Sequence, residues 1–305
     1  MNHDKKLGDA APLSAFTCNI CGGRNLSTVD PSERERATCV QCRSSIRFRS
    51  IVLALSRALF GLDLKISDFP ALKSVRGLGM SDSDIYSGRL ENRFNYANTF
   101  YHRDPKFDLS RPDENEFGKY DFVICSDVLE HVPHPATAFA TLGRMLKPTG
   151  ALILSVPYSL DPDTIEHYPE LVDSGFAEID GRTILVGRSA SGEYRVFDRL
   201  AFHGGSGSIL ERRIFSDASI RAALAAADFP IVHFDSAGNR EFGVVFSHPC
   251  SLPIVAARAP FALSASGVTE LVEQLLAARG VLNAVELSRW LRLGRSLGIG
   301  PGVMR

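Results

Sequence analysis

The sequence predicts an α/β protein with a parallel sheet, a small cysteine-bearing module before it and a helical tail after it. Three observations carry that prediction. From about residue 72 to residue 258 short apolar segments alternate with helix-like ones, the pattern of βαβ units. YDFVICS, residues 120–126, is a continuous apolar run of the kind buried on both faces of a sheet. Pro135 opens PATAFATLGRML at a helix start, where its missing N–H costs nothing, and KPTG then turns the chain into a second buried run, ALILSVP.

The bulk composition narrows the function classes. Lys plus Arg number 34 against 35 Asp plus Glu, so no global field draws the chain onto nucleic acid or an anionic membrane. Met1 to Lys6 leads into no apolar leader, and IVLALSRALFGL from Ile51 is interrupted by Arg57 and too short to span a bilayer. The expectation is a soluble, cytoplasmic protein. Four of the six cysteines fall in C-x-x-C pairs, which inside a cell point to metal more often than to disulfides.

Residues 1–50 form the first unit. Cys18, Cys21, Cys39 and Cys42 leave seventeen residues between the pairs, within the window of a four-cysteine zinc site. Each pair aims two thiolates at one point, and four ligands leave no open position, so the zinc is expected to be structural. Gly22 and Gly23 suit the tight turn of such a knuckle. Arg43, Arg47 and Arg49 around Phe48 either grip RNA phosphates and stack a base, or form a rim that holds the module against the main domain. Cys125 and Cys250 have no near partner and read as core thiols.

Residues 51–260 form the main domain. A helix runs from Ile51 to Gly61; SVRGLG is the first strand and turn, SDIYSGRLENRF a helix, and NYANTFYH a strand rich in aromatic and β-branched residues. Residues 159–213 break the rhythm with polar, Gly-rich, histidine-bearing sequence and read as an insertion. SDASIRAALAAADF is then a helix capped at Ser216, with PIVHFDS and FGVVFSHP as closing strands. Residues 261–305 are a helical tail, net +2 from Glu270 onward, whose apolar stripe either packs on the domain or meets a membrane surface or partner helix.

Ligands of open α/β sheets bind beyond the carboxyl ends of the strands. Ser126 and Asp127 end one buried strand, and Gly77-Leu78-Gly79 ends another. The segment YDFVICSDVLEHVPHPATAFATLGRMLKPTGALILSVPY, residues 120–158, resembles the fourth strand, following helix and fifth strand of class I S-adenosylmethionine-dependent methyltransferases. The resemblance implies a Rossmann-like seven-stranded methyltransferase sheet whose last strand is antiparallel. It implies S-adenosylmethionine as cofactor, with Gly77 and Gly79 approaching its amino-acid part and Asp108 accepting from the adenine amino group. Ser126 and Asp127 are then expected beneath the sulfonium, and Asp104 is the candidate for the ribose. The chain departs from the family pattern at Val75, Arg76 and Ser81, and only twenty-eight residues separate Gly79 from Asp108.

FHGGSGSILERRIFS (202–216) and SRWLRLGRSLGIGP (288–301) resemble segments of methyltransferases encoded among bacterial surface-polysaccharide enzymes. The expected function is methyl transfer to a small-molecule or saccharide-like acceptor covered by the insertion. A hydroxyl acceptor needs a base, for which His131 and His203 are the candidates and His167 a third. Tyr158 either orients the acceptor or caps the core, and Glu211 to Arg213 read as a solvated turn. The alternatives are an RNA methyltransferase that docks its substrate through the knuckle, and a non-catalytic methyltransferase-like module, motivated by Val75, Arg76 and Ser81.

Overall fold

The computed structural model describes residues 13–169, 171–189, 191–203 and 209–296. It opens with an antiparallel hairpin of β1 (Leu13–Thr17) and β2 (Arg24–Thr28). Helix α1 (Ile46–Phe60) follows; Ser45 caps it by accepting from the Phe48 N–H, and Gly61 ends it in the left-handed conformation that a glycine adopts without a Cβ clash. The sheet then builds through β3 (Leu72–Met80), α2 (Ser87–Arg93), β4 (Phe94–Thr99), β5 (Tyr120–Ser126), α3 (Pro135–Met145) and β6 (Leu146–Ser155). Strands β3, β4, β5 and β6 are mutually parallel where they pair.

Eight short strands make up the insertion: β7 (Tyr158–Ser159), β8 (Ile165–Glu166), β9 (Leu171–Ile179), β10 (Arg182–Ser189), β11 (Tyr194–Phe197), β12 (Phe202–His203), β13 (Ile209–Leu210) and β14 (Arg213–Ser216). Strands β9, β10 and β11 form an antiparallel sheet, and Tyr168, Leu171, Leu185 and Leu210 give the insertion a small core of its own. After it come α4 (Asp217–Ala226), with Ser216 Oγ accepting from the Ser219 N–H at 3.0 Å, then β15 (Ile231–Phe234) and β16 (Ile254–Ala257). The chain continues in α5 (Ala265–Leu287) and α6 (Arg289–Ser296).

The central sheet has the order β15-β16-β6-β5-β3-β4, with β16 antiparallel to both its neighbours. The antiparallel final strand agrees with the sequence expectation. The number does not: among the described residues the sheet has six strands rather than seven. Strand β4 forms the edge of the sheet, and the chain between Thr99 and Tyr120 makes an excursion with one 3-10 turn and no further sheet strand. Strand β5 is buried on both faces, as its apolar run implies. Phe122 and Ile124 pack toward α1 and α2, while Val123 and Cys125 pack toward α3 and α4.

Two further expectations are corrected. FGVVFSHP is not a strand; Gly243 takes a positive φ of 65°, Val244 turns back to pair with Asn239, and the apolar residues cover Leu53 as a loop. The closing strand is β16 instead. The stripe of the tail is not packed on the domain: Glu270 and Gln274 of α5 bind the backbone of Ser74 and Ala71, but beyond them Leu275, Leu282 and Trp290 are exposed. No described helix is long and apolar enough to cross a membrane.

The amino-terminal hairpin is not a separate bead. Phe16, Cys18, Ile20 and Cys39 share one buried cluster with Ile51 and Leu55 of α1 and with Phe122, Ile124 and Ile153 of the sheet.

Candidate active site at the strand tips

Strands β3 and β5 end side by side, with Gly77, Leu78 and Gly79 opposite Phe122, Val123 and Ile124. The structure gives both motif glycines a packing reason. A Cβ on Gly77 would lie 2.1 Å from the Phe122 ring, and one on Gly79 would lie 1.9 Å from the Tyr96 hydroxyl and 2.4 Å from Asp82 Oδ2. Beyond β3 the chain turns at Ser81, whose φ of 58° is the left-handed value that glycine takes without cost. Ser81, one of the departures from the family pattern, thus holds a backbone conformation that favours glycine.

That turn delivers Asp82 into a buried polar cluster. Tyr86 and Tyr96 donate hydroxyl hydrogen bonds to its two oxygens, and Asn98 holds its backbone, accepting from the Asp82 N–H at 2.9 Å and donating to its carbonyl at 2.8 Å. Burial pushes the Asp82 carboxyl up to about 7, against the opposing pull of the two tyrosine hydrogen bonds. Val75 is simply a core residue. Arg76 lies away from these groups, paired with Glu116 and stacked over Tyr120.

Ser126 and Asp127 lie at the tip of β5, as expected. Ser155 bridges them, its hydroxyl 2.9 Å from Ser126 Oγ and donating to Asp127 Oδ1 at 2.8 Å. Asp127 has a φ of 52°, the kind of backbone strain that clusters at functional sites. What faces it comes from a distant part of the chain. Arg34, from the segment between the cysteine pairs, donates to Asp127 Oδ2 at 3.0 Å; Arg47, on the first turn of α1, donates to Ser126 Oγ at 3.1 Å and reaches Asp127 at 3.3 Å. Glu35 joins the two arginines, at 3.0 Å from Arg34 and 2.8 Å from Arg47.

A cavity of about 110 Å³ remains between Arg47, Phe48, Ser81, Asp82, Ser83, Tyr86 and Ser126. A larger, shallow concavity of about 450 Å³ lies beside the knuckle, lined by Cys21, Gln41, Cys42, Asp84, Ile85 and Arg89. The smaller one is the candidate site because it lies at the carboxyl ends of adjacent parallel strands.

Asp108 is half-buried; its Oδ1 accepts from the Ser110 N–H, and the next residue, Leu109, accepts from Thr141 on α3. Asp104 is exposed in the excursion after β4. Neither lines the described cavity.

On the other side of Asp127 a 3-10 turn, Leu129–His131, meets the insertion. Three of the expected histidines converge here on one segment. His131 Nδ1 is 2.8 Å from the Leu210 carbonyl, His167 Nε2 is 3.1 Å from Glu211 Oε1, and the backbone of His203 pairs with Ile209; the His203 side chain lies outside the described residues. Glu130 is fully buried, with neither carboxylate oxygen hydrogen-bonded among the described residues and Oε1 3.6 Å from His131 Nε2. Burial, and then the Asp127 charge, push its carboxyl well above the usual range.

Arg213 is not part of a solvated turn. It is 4% exposed, pairs with Glu166 and donates to the carbonyls of Leu129, Val132 and Pro133, fastening the insertion to the 3-10 turn. Tyr158 caps the core, stacked edge-on against Phe234.

The four cysteine sulfurs lie within 4.8 Å of one another, with Cys18 to Cys42 at 3.7 Å and Cys21 to Cys39 at 3.6 Å. A tetrahedron of zinc–sulfur bonds of about 2.3 Å has edges of about 3.8 Å, so the donor set fits a zinc ion. Ser44 Oγ lies 3.3 Å from Cys18 Sγ, and the Gly23 N–H donates to Cys21 Sγ at 3.4 Å. Arg49 is fully buried close to the thiolates, donating to Ser44, Thr38 and the Gly243 carbonyl. Among the described residues no carboxylate pairs with Arg49, and the four cysteine sulfurs are the groups whose negative charge would favour its cation. With Arg49 buried and Arg47 turned to the strand tips, these two arginines are committed inside the molecule rather than presented to RNA phosphates.

A family model described as methyltransferase domain matches residues 23–233. The chain belongs to that family, and its sheet, helices and antiparallel last strand are the methyltransferase fold. Among curated proteins it is 32% identical over 81 residues to the ubiquinone biosynthesis O-methyltransferase of Marinobacter nauticus, covering 27% of this chain and 34% of that one. It is 35% identical over 81 residues to the enzyme of that name from Alkalilimnicola ehrlichii, covering 27% and 32%. The chain thus spans about a third of the length of the curated relatives it matches. Among solved structures it is similar to CalS10, an amino pentose methyltransferase from Micromonospora echinaspora, with a TM-score of 0.38, 18% identity and coverage of 71% and 92%. It is also similar to the sugar N-methyltransferase KedS8 from Streptoalloteichus, with a TM-score of 0.36, 16% identity and coverage of 61% and 80%.

Proposed function

We propose that the protein is an S-adenosylmethionine-dependent methyltransferase acting on a small-molecule or saccharide-like acceptor, with a structural zinc on Cys18, Cys21, Cys39 and Cys42. Family membership across residues 23–233 supports the class. The observation that carries the reading is the polar cavity at the adjoining tips of β3 and β5, bounded by the Ser81 turn on one side and by Ser126 on the other.

Its volume of about 110 Å³ is well below the 300 Å³ or more typical of small-molecule sites, so it fits one end of the cofactor. That end is the amino-acid part, beside the turn that follows Gly77 and Gly79. The nucleoside lies outside the cavity toward the exposed excursion after β4, where Asp104 and Asp108 are the acidic groups available to ribose and adenine. When bound, the cofactor supplies a methyl group activated on a sulfonium. The chain's part is to orient the acceptor in line, exclude water and accept the proton a hydroxyl loses.

The insertion, fastened by Arg213 over the turn that carries His131, is the acceptor's cover. His131 is the proposed base, its ring oriented through Nδ1 on Leu210 and its Nε2 turned toward Glu130. His203, on the strand paired with the same segment, is the second candidate.

Calorimetry on zinc-loaded protein with S-adenosylmethionine and S-adenosylhomocysteine tests the reading. One-to-one binding of both is expected, with transfer of isotopically labelled methyl to a saccharide acceptor. No heat with either ligand refutes it.

A further inference from the structure

We propose that helix α6 and the projecting half of α5 form a docking element for an anionic membrane surface. Both helices lie outside residues 23–233, which the family model matches, and the proposal does not depend on the methyl-transfer reading.

The root of the tail is fixed to the domain. A Cβ on Gly267 would lie 3.3 Å from Ser74 Oγ. Glu270 accepts from the Ser74 N–H at 3.0 Å, and Gln274 accepts from the Ala71 N–H at 3.0 Å and donates to the Ala71 carbonyl at 2.8 Å. This polar clamp ends at Gln274. From Leu275 to Leu287 every residue is exposed, about 20 Å of helix at about 1.5 Å per residue.

The projecting half has the wrong composition for water. Leu275, Leu276, Val281, Leu282, Val285 and Leu287 are all exposed, and the only charged residues among them are Arg279 and Glu286. At about 100° per residue these six apolar positions spread around the helix axis instead of gathering in one stripe. A helix that is apolar all round is stable when it is covered on every side. A partner helix covers one seam, whereas acyl chains surround what enters them. No described helix is long and apolar enough to cross a membrane, so the element lies on the surface.

Helix α6 supplies the headgroup contact. The backbone is extended at Ser288, with φ −62° and ψ 137°, which separates α6 from α5. Within α6 the sequence has arginine at 289, 292 and 295 and no acidic residue. Trp290 is 84% exposed and Leu293 52% exposed, and they stand one turn apart. Arginines interleaved with tryptophan and leucine are the composition of an interfacial helix, in which the indole sits at headgroup level and each cation is drawn to anionic lipid.

Charge decides between lipid and a second copy of the chain. From Leu275 to Ser296 there are four arginines, Arg279, Arg289, Arg292 and Arg295, against one acid, Glu286. Two such tails side by side repel, and neither offers the other a countercharge. Anionic headgroups do. The root of the tail is at the start of β3, and the strand-tip cavity is beyond its other end. Ser74 and Met80 are about 20 Å apart along the strand, so docking leaves the cavity clear.

The test floats zinc-loaded full-length protein with vesicles of phosphatidylcholine alone and of equimolar phosphatidylcholine and phosphatidylglycerol. The wild type should bind the anionic vesicles at least about tenfold more tightly than the neutral ones, and raising sodium chloride from about 0.1 M to about 1 M should release it. Replacing Arg289, Arg292 and Arg295 together with Gln should weaken binding at least about tenfold. Trp290→Ser combined with Leu293→Ser should weaken it by a similar factor, and both variants should keep the wild-type thermal transition. Should a variant fail to fold, the lipid and salt comparisons on the wild type decide. Absence of binding, equal binding to both vesicle types, or folded variants that bind like the wild type overturn the proposal. A stable dimer in sedimentation equilibrium without vesicle binding assigns the tail to a second copy and overturns it as well.

Discussion

Replacing Asp82 with Asn tests the buried network beneath the strand tips through the pH dependence of stability. Folding raises the Asp82 carboxyl from 3.8 to about 7, with burial the main cause. Between about pH 4 and pH 7 the folded chain holds a proton that the unfolded chain has released. Stability from this group is therefore fully present below pH 4 and is lost as pH rises toward 7. The gap between the two values is about three, and at about 1.36 kcal/mol for each the loss is on the order of 4 kcal/mol. An amide has the same shape, can still meet the Tyr86 and Tyr96 hydroxyls, and does not titrate. Urea unfolding of wild type and Asp82→Asn at half-unit steps from pH 4 to pH 8 measures the difference directly, with contributions from Glu130 and other groups cancelling. The variant should gain on the wild type by several kcal/mol across that window. Parallel stability curves would refute the reasoning, because they would mean that Asp82 titrates alike in both states.

The other predictions concern backbone, metal and insertion. Ser81→Gly should stabilise the protein by about 1 kcal/mol in urea melts, since it relieves the φ of 58°; a loss of stability would show that the Ser81 side chain matters more than its backbone. Cys42→Ser should reduce bound zinc from one per chain to none by elemental analysis, and should lower the single thermal transition of the whole protein, because Cys18 and Cys39 share a core with Ile124 and Ile153. A separate early transition with the main one unmoved would contradict that coupling. Arg213→Met takes the donor from the Val132 and Pro133 carbonyls and from Glu166, leaves the Leu129 carbonyl with only the Val132 N–H, and should cost about 3 kcal/mol. Limited proteolysis should then cut within the insertion first; unchanged cleavage would show that the insertion is held by other contacts.

The parts of the fold legible in the sequence are those where one signal dominates. Strand β5, helix α3 and strand β6 have an unbroken apolar run at each strand and a Pro at the helix start, and the structure places them there; KPTG, read as a turn, lies instead inside β6, opposite the register shift between Tyr120 and Phe122. Strand β16 went unread because it is four residues long, Ile254 to Ala257, and gains its strand character only by lying between β6 and β15. FGVVF looked more strand-like, yet Gly243 turns the backbone and leaves the Phe242 and Val244 side chains to cover Leu53.

The candidate site shows the same division. Ser126 and Asp127 follow a recognisable strand, and the four cysteines announce themselves by spacing alone. Arg34 is 93 positions from Asp127, and Arg47 is 79 from Ser126, so nothing local links them; only the folded module brings them together. Asp82 had a faint signal, an acid three residues beyond Gly79, but its role depends on Tyr96, which arrives from the neighbouring strand.

A crystal structure of the zinc-loaded protein with S-adenosylhomocysteine addresses the central claim most directly. The account predicts one ligand across the tips of β3 and β5, its amino-acid end in the cavity beside the Ser81 turn and its nucleoside toward the loop after β4. Ligand bound only elsewhere, with that cavity empty, would contradict it.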